Sequence, residues 1–151
     1  MGGTMGGVIQ IFFNTGEAAL SPSPSAVGDG GEEESGGGAA WCRAFVAGVT
    51  GVEFYGGATK GMRTVLDAVV PAAEVLSQKG PSGRSGLVWF VALSGCCAVL
   101  RAEEGAESTC NMEALAGRAN YVAASSLKGV PDPGAKAAAY ALKAVSVALS
   151  G

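Results

Sequence analysis

Apolar and polar positions divide the chain into segments of different rhythm. Over residues 39–59 the run AAWCRAFVAGVTGVEFYGGAT sets Ala40, Ala44 and Gly48 at four-residue steps, with Ala47 and Gly51 on a neighbouring face, and Gly57 and Gly61 extend the pattern. That spacing predicts a helix packed through small residues. It is long enough to cross a bilayer, although it holds Arg43 near one end and Glu53 well inside. Residues 62–79 place Val65, Leu66, Val69, Val70, Val75 and Leu76 at roughly helical intervals, with Pro71 expected to start or kink a turn. This reads as an interfacial amphipathic helix between two spans.

A turn at residues 80–83 (GPSG) leads into residues 86–100, GLVWFVALSGCCAVL, the longest charge-free apolar run. Fifteen residues are short for a span unless the flanking Arg84 and Arg101 snorkel. A third helix is expected over residues 112–127, again rich in small residues (Ala116, Gly117, Ala119, Ala123, Ala124), then a tight turn at PDPG, residues 131–134, and a fourth helix over 135–150. Ahead of all these, residues 1–38 join a short apolar piece at 7–13 to a tract of Gly, Ser, Pro and Glu that buries too little surface to order itself. The expected layout is a low-complexity tail (1–38), pinned to a partner by residues 8–13, and a membrane domain (39–151).

Composition sharpens the membrane reading. Apolar residues make up 48% of the 151 positions, with mean hydropathy of +0.33, but Ala and Gly supply much of it. Each of the 25 glycines would cost about 1 kcal/mol in a water-exposed helix relative to Ala, whereas small residues let membrane helices approach closely. The charges Glu113, Arg118, Lys136 and Lys143, with Glu53, would then face a bundle interior, a polar cavity or an interface. Glu53 would either present negative charge to a cavity or pair with Arg118 or Lys143. With the acidic tail and Glu103, Glu104 and Glu107 on one side, Lys60, Arg63, Lys79, Arg84, Lys128 and Lys136 fall in loops on the other, a positive-inside arrangement.

A net charge of −3 without a basic stripe argues against nucleic acid as a partner. Four cysteines (Cys42, Cys96, Cys97, Cys110) without a histidine or a CxxC spacing give poor support for a metal site. Cys96 and Cys97 read as small apolar core residues, and a Cys42–Cys110 disulfide would need both on an oxidising side of a membrane. No Lys or Arg precedes Arg43, so any organelle targeting would be internal. No P-loop, GxSxG elbow or redox CxxC is present, so no catalytic set, cofactor or enzyme acting alone is expected.

The block LVWFVALSGCCAVLRAEEGAESTCNMEALAG, residues 87–117, resembles the signature region of the mitochondrial translocase-channel family, in which an apolar helix ends in Arg, a charged loop follows, and an Asn opens a Gly-rich helix. On that resemblance Arg101 is the family Arg, Glu103 and Glu104 the acidic positions, Asn111 the helix-starting Asn and Gly117 the following Gly. The Lys usual near the acidic pair is replaced, and the spacing from Arg to Asn is a few residues longer. Physically, Arg101 and its carboxylates can make an ion-paired connection and Asn111 can cap a helix. The resemblance implies an all-α fold of about four Gly/Ala-rich transmembrane helices in the mitochondrial inner membrane. It further implies a non-catalytic accessory subunit of NADH:ubiquinone oxidoreductase (complex I), bound to other membrane subunits and to lipid, with cardiolipin near Lys60, Arg63 or Lys128. A subunit of a protein translocase or an amino-acid pore is the alternative. A third reading is a soluble α/β domain with a buried strand pair in 87–100.

Overall fold

The computed structural model describes residues 4–20, 37–78 and 95–150, and among these every regular element is helical. Five longer helices carry the fold: α1 (Thr4–Leu20), α2 (Gly37–Gly56), α3 (Leu66–Gln78), α4 (Gly95–Ser108) and α5 (Pro133–Ser150). Between α4 and α5 the chain is irregular, holding 3-10 turns at Thr109–Asn111 and Arg118–Tyr121 and one helical turn at Ala124–Leu127.

Packing follows chain order: α1 on α2, α2 on α3, α3 on α4 and α4 on α5, with α3 also reaching α5. Alanines decide how closely these helices sit. Ala68 and Ala72 on α3, Ala98, Ala102 and Ala106 on α4, and Ala135 and Ala139 on α5 recur every four residues and form one buried cluster with Cys42 and Leu76. A second cluster joins Val49, Val52, Leu66 and Ala73, flanked by Val8, Ile11 and Phe12 from α1. Phe45 touches both clusters and meets the Phe12 ring edge-on at 5.5 Å.

Glycine allows two close approaches. A methyl group on Gly48 would lie 2.7 Å from the Phe12 ring, so α1 and α2 touch there through hydrogen. On α4, a methyl group on Gly105 would collide with the carbonyl oxygen of Asp67. That carbonyl is available because Pro71, four residues on, has no N–H to donate to it. Pro71 thus remains inside α3, and α4 packs against the acceptor it leaves open.

The expected membrane architecture is overturned. No helix among the described residues is long and apolar enough to cross a membrane. Helical segments were expected near α2, α3 and α5, but three other expectations differ. Residues 4–20, expected within an irregular tail, form α1, whose apolar residues Val8, Ile11 and Phe12 repeat at helical spacing and pack on α2. The charged stretch with Glu103, Glu104 and Glu107, expected as a loop, is the second half of α4, because the alanine period runs unbroken from Ala98 to Ala106. The helix expected over 112–127 is mostly irregular: Gly117 (φ 72°) within it and Gly129 (φ 77°) just beyond it take left-handed conformations. Most of the apolar run at 86–100 and the tract at 21–36 lie outside the described residues, and the proposed division of the chain near residue 38 falls in the first turn of α2.

Candidate functional site

At one end of the bundle the loop after α2, the start of α5 and the first turn of α1 come together. Loop residues 57–65 need unusual backbone: Gly57 (φ 64°), Gly61 (φ 97°) and Arg63 (φ 58°) are all left-handed, and for Arg63 that conformation is strained. Asp67, 1% exposed in the first turn of α3, holds the loop. Its Oδ1 accepts the Gly61 N–H at 2.5 Å and its Oδ2 the Thr64 N–H at 2.8 Å. The Leu115 N–H donates to the Met62 carbonyl at 3.3 Å and attaches the irregular segment to the same loop.

The start of α5 is held as firmly. Asp132 precedes it, its Oδ2 accepting the Ala135 N–H at 2.8 Å, and Pro133 occupies the first helical position, where no donor is wasted. The buried Thr109 hydroxyl donates to the Ala106 carbonyl at 2.6 Å and accepts the Asp132 N–H at 2.7 Å. Arg63 reaches across the loop, Nη2 donating to the Val130 carbonyl at 2.9 Å. Gly134 lies against the α1 start: a methyl group there would be 3.2 Å from Met5 Cε, 3.0 Å from Asp132 Oδ2 and 3.9 Å from Val65 Cβ. The start of α5 therefore lies beside a glycine-bearing loop and a buried guanidinium, with the Met5 side chain from the first turn of α1 reaching it. At the α5 start the Asp132 carboxylate and carbonyl take the Ala135 and Lys136 N–H groups, and Pro133 has none, so the Gly134 N–H is the first-turn donor left to other acceptors.

The residues singled out from sequence are distributed differently. Arg101 pairs with Glu104 at 3.1 Å and Glu103 with Lys143 at 2.9 Å, on the exposed side of α4 and its contact with α5. Glu107 pairs with Lys136 in the same cleft, and Glu103 and Glu107 each hold the neighbouring ammonium in its charged form, raising the pKa of Lys143 and Lys136. Asn111 ends the 3-10 turn after α4 and Gly117 precedes the turn carrying Arg118. Gly48 and Gly51 sit at the α1 contact, whereas Gly57 and Gly61 belong to the loop. Glu53 and Arg118 form no ion pair with each other, and Lys143 is engaged by Glu103. Cys42 and Cys110 are not joined in a disulfide, and burial pushes the Cys42 thiol pKa up. The Cys96 side chain lies outside the described residues.

Asp67, Thr109 and Asp132 were not reached from sequence as site residues, and Arg63 was singled out only as a basic loop residue near lipid. One signal was present: in PDPG an Asp followed by Pro is an N-cap and first-turn pair, which marks a helix start as well as a turn.

Residues 1–147 match the family described as the DAK2 domain. The chain belongs to the DAK2 domain family. It is 36% identical over 149 residues to a putative 3,4-dihydroxy-2-butanone kinase of Solanum lycopersicum, covering 99% of this chain and 23% of that protein. It is 36% identical over 145 residues to the triokinase/FMN cyclase of Homo sapiens (96% and 22%), and 34% identical over 147 residues to the dihydroxyacetone kinase of Citrobacter freundii (97% and 22%). The chain thus spans less than a quarter of the length of these relatives.

DAK2 membership over nearly the whole chain overturns the translocase-channel resemblance, and with it the complex I subunit, the translocase or pore alternative and the inner-membrane location. The expected partners, membrane subunits and cardiolipin, fall too: Arg63, placed on a lipid-facing loop, is 1% exposed, and Lys60 pairs with Glu74 at 3.3 Å. The expectation of a non-catalytic subunit is likewise corrected, since the proteins sharing this DAK2 sequence are named as kinases. The loose spacing match around Arg101 and Asn111 arose because an alanine-rich DAK2 helix and a Gly/Ala membrane span use the same small-residue steps.

Proposed function

We propose that this DAK2 chain is the phosphoryl-donor-binding part of a kinase acting on small hydroxylated ketones, the substrate class in its relatives' names. What carries the proposal is DAK2 membership over residues 1–147, together with the end of the bundle where the loop held by Asp67 lies beside the capped start of α5. Phosphoryl transfer demands little covalent chemistry from a protein; it demands that the phosphates be held in position and that developing negative charge be stabilised. A rigidly held loop and helix start meet that demand without reorganising.

Kinases commonly use Mg²⁺, and no group of three or more His, Cys, Asp or Glu side chains among the described residues is placed to hold a metal ion, so no step is assigned to one. The acceptor hydroxyl and the groups that take its proton belong, on this reading, to sequence beyond the fraction of the relatives that this chain covers.

Calorimetric titration of the 151-residue chain with ADP, ATP and inorganic tripolyphosphate tests the proposal. Saturable binding of all three, with adenosine alone far weaker, is the expected result. Heat of dilution only for the phosphate-bearing ligands, with and without Mg²⁺, would remove it.

A further inference from the structure

Helix α1 carries two apolar faces, and only one of them is covered. Val8, Ile11 and Phe12 pack against the cluster of Val49, Val52, Leu66 and Ala73, and Gly16 lies against α2, where a methyl group would be 3.1 Å from the Ala44 carbonyl oxygen. Met5, Ile9, Phe13 and Leu20 follow one another at steps of four, four and seven, which sets them in a straight stripe on another face. All four are exposed, from 38% at Leu20 to 64% at Phe13. The stripe runs the length of the helix, from Met5 beside Gly134 to the last residue of α1. Its central ring is held in place: Phe13 meets Phe12 edge-on at 5.5 Å, and Phe12 meets Phe45 in the same way, so the exposed ring is braced by rings that reach the core. Among the 17 residues of α1, Glu17 alone is charged.

We infer that the Met5, Ile9, Phe13 and Leu20 face of α1 is the contact through which two copies of this chain associate about a two-fold axis. A two-fold contact must be complementary to itself. A straight stripe on one helix meets that condition when two α1 helices lie antiparallel, with Ile9 of each copy opposite Phe13 of the other. A two-fold axis also brings like charges together, and a helix with a single charge has little to repel. The area is of the right order: at about 200 Å² for a large apolar residue, the exposed parts of the four side chains amount to roughly 400 Å² per copy, a contiguous patch of the size that marks interaction sites. Two copies bury about 800 Å² through these side chains alone, and the exposed Gln10 and Glu17 beside the stripe bring the total toward the roughly 1,000 Å² that a specific interface needs. A braced aromatic ring at the centre of the patch loses little freedom on association. The antiparallel arrangement sets the two Met5 ends at opposite extremes of the contact, so the ends proposed to hold phosphate stay apart and open. Association does not rest on the phosphate-binding reading.

Sedimentation equilibrium of the full chain, at loading concentrations from about one to one hundred micromolar, tests the inference. Expected is a particle of twice the 14.8 kDa chain mass at the upper concentrations. Its dissociation constant should change little between about 0.1 and 1 M NaCl, because apolar burial, unlike ion pairing, is not screened. Phe13→Glu and Ile9→Glu are each expected to weaken association by about a hundredfold or more. Leu100→Glu, which puts the same charge at an exposed apolar position on α4, is expected to leave it intact. Far-UV circular dichroism reports whether each variant is folded. Should the α1 variants not fold, isotope-filtered NOEs in a mixture of labelled and unlabelled parent chains decide: contacts between the Ile9 methyl groups and the Phe13 ring of different molecules are expected, and their absence overturns the inference. A parent chain that stays monomeric throughout, or a dimer that Phe13→Glu and Ile9→Glu leave unchanged, also overturns it. ADP titration of the monomeric variants is expected to match the parent, so a failure of the dimer leaves the phosphate-binding reading to its own test.

Discussion

Removing the Asp67 carboxylate examines how the loop is held. Asp67 is 1% exposed and accepts two backbone N–H groups, from Gly61 at 2.5 Å and Thr64 at 2.8 Å. Hydrogen bonds to a charged group contribute about 1.5–3 kcal/mol each, and a buried donor left alone carries its full desolvation penalty. Asp67→Ala orphans both donors, so a loss of about 3–5 kcal/mol is expected. Asp67→Asn keeps one acceptor but turns an N–H₂ toward the other donor, and about 1.5–3 kcal/mol is expected. For a domain of this size, about 2–4 °C per kcal/mol puts Asp67→Ala roughly 6–20 °C below the parent. Urea unfolding followed by far-UV circular dichroism reads the difference as a lower midpoint at constant slope. Glu74→Gln breaks the half-exposed Lys60 pair and serves as the control, with a change below about 1 kcal/mol. If Asp67→Ala lies within 1 kcal/mol of the parent, the loop is not held by this carboxylate and the reasoning fails.

Three further outcomes follow from the packing. Gly105→Ala drives a methyl group into the Asp67 carbonyl, and because backbone must move, a loss of about 1–3 kcal/mol or more in the same urea assay is expected; a neutral result would place α4 farther from α3. Cys42 is buried and Cys110 partly exposed, so a thiol reagent at pH 8 should modify Cys110 well before Cys42, as peptide mass mapping would show; equal rates would contradict the burial of Cys42. Because burial raises the Cys42 pKa above its ordinary 9.0, the folded chain keeps a proton that the unfolded chain releases; its contribution is full below pH 9 and declines as pH climbs through the raised value. Cys42→Ala should therefore show a shallower alkaline loss of stability than the parent.

What could be read from the sequence was helical character at three places; the PDPG segment, expected as a tight turn, carries the N-cap Asp132 and the first turn of α5. Small residues at four-residue steps belong equally to membrane helices and to closely packed water-facing bundles, so the Ala68–Ala72 and Ala98–Ala102–Ala106 faces did not decide the solvent. The charges in α4 would have helped: Arg101, Glu103, Glu104 and Glu107 share a helix with the buried alanines, an amphipathic pattern rather than a span followed by a loop. Helix α1 was missed because its apolar stripe is short and the tract after it dominated the composition. The site itself was less accessible. Arg63, Asp67, Thr109 and Asp132 are separated along the chain and meet only through tertiary hydrogen bonds such as Arg63 to Val130 and Thr109 to Asp132. Gly57 and Gly61 invite a packing explanation until their positive φ values place them in a loop.

The central claim, that the start of α5 together with loop 57–65 seats a phosphate-bearing ligand, is tested most directly by mapping backbone amide resonances as ADP is titrated into the chain. The account predicts the largest shifts at Met5, Gly61, Gly134 and Ala135, with little change along the cleft lined by Glu103, Glu107, Lys136 and Lys143. Shifts centred on Lys136 and Lys143, with Gly134 and Gly61 unmoved, would contradict it.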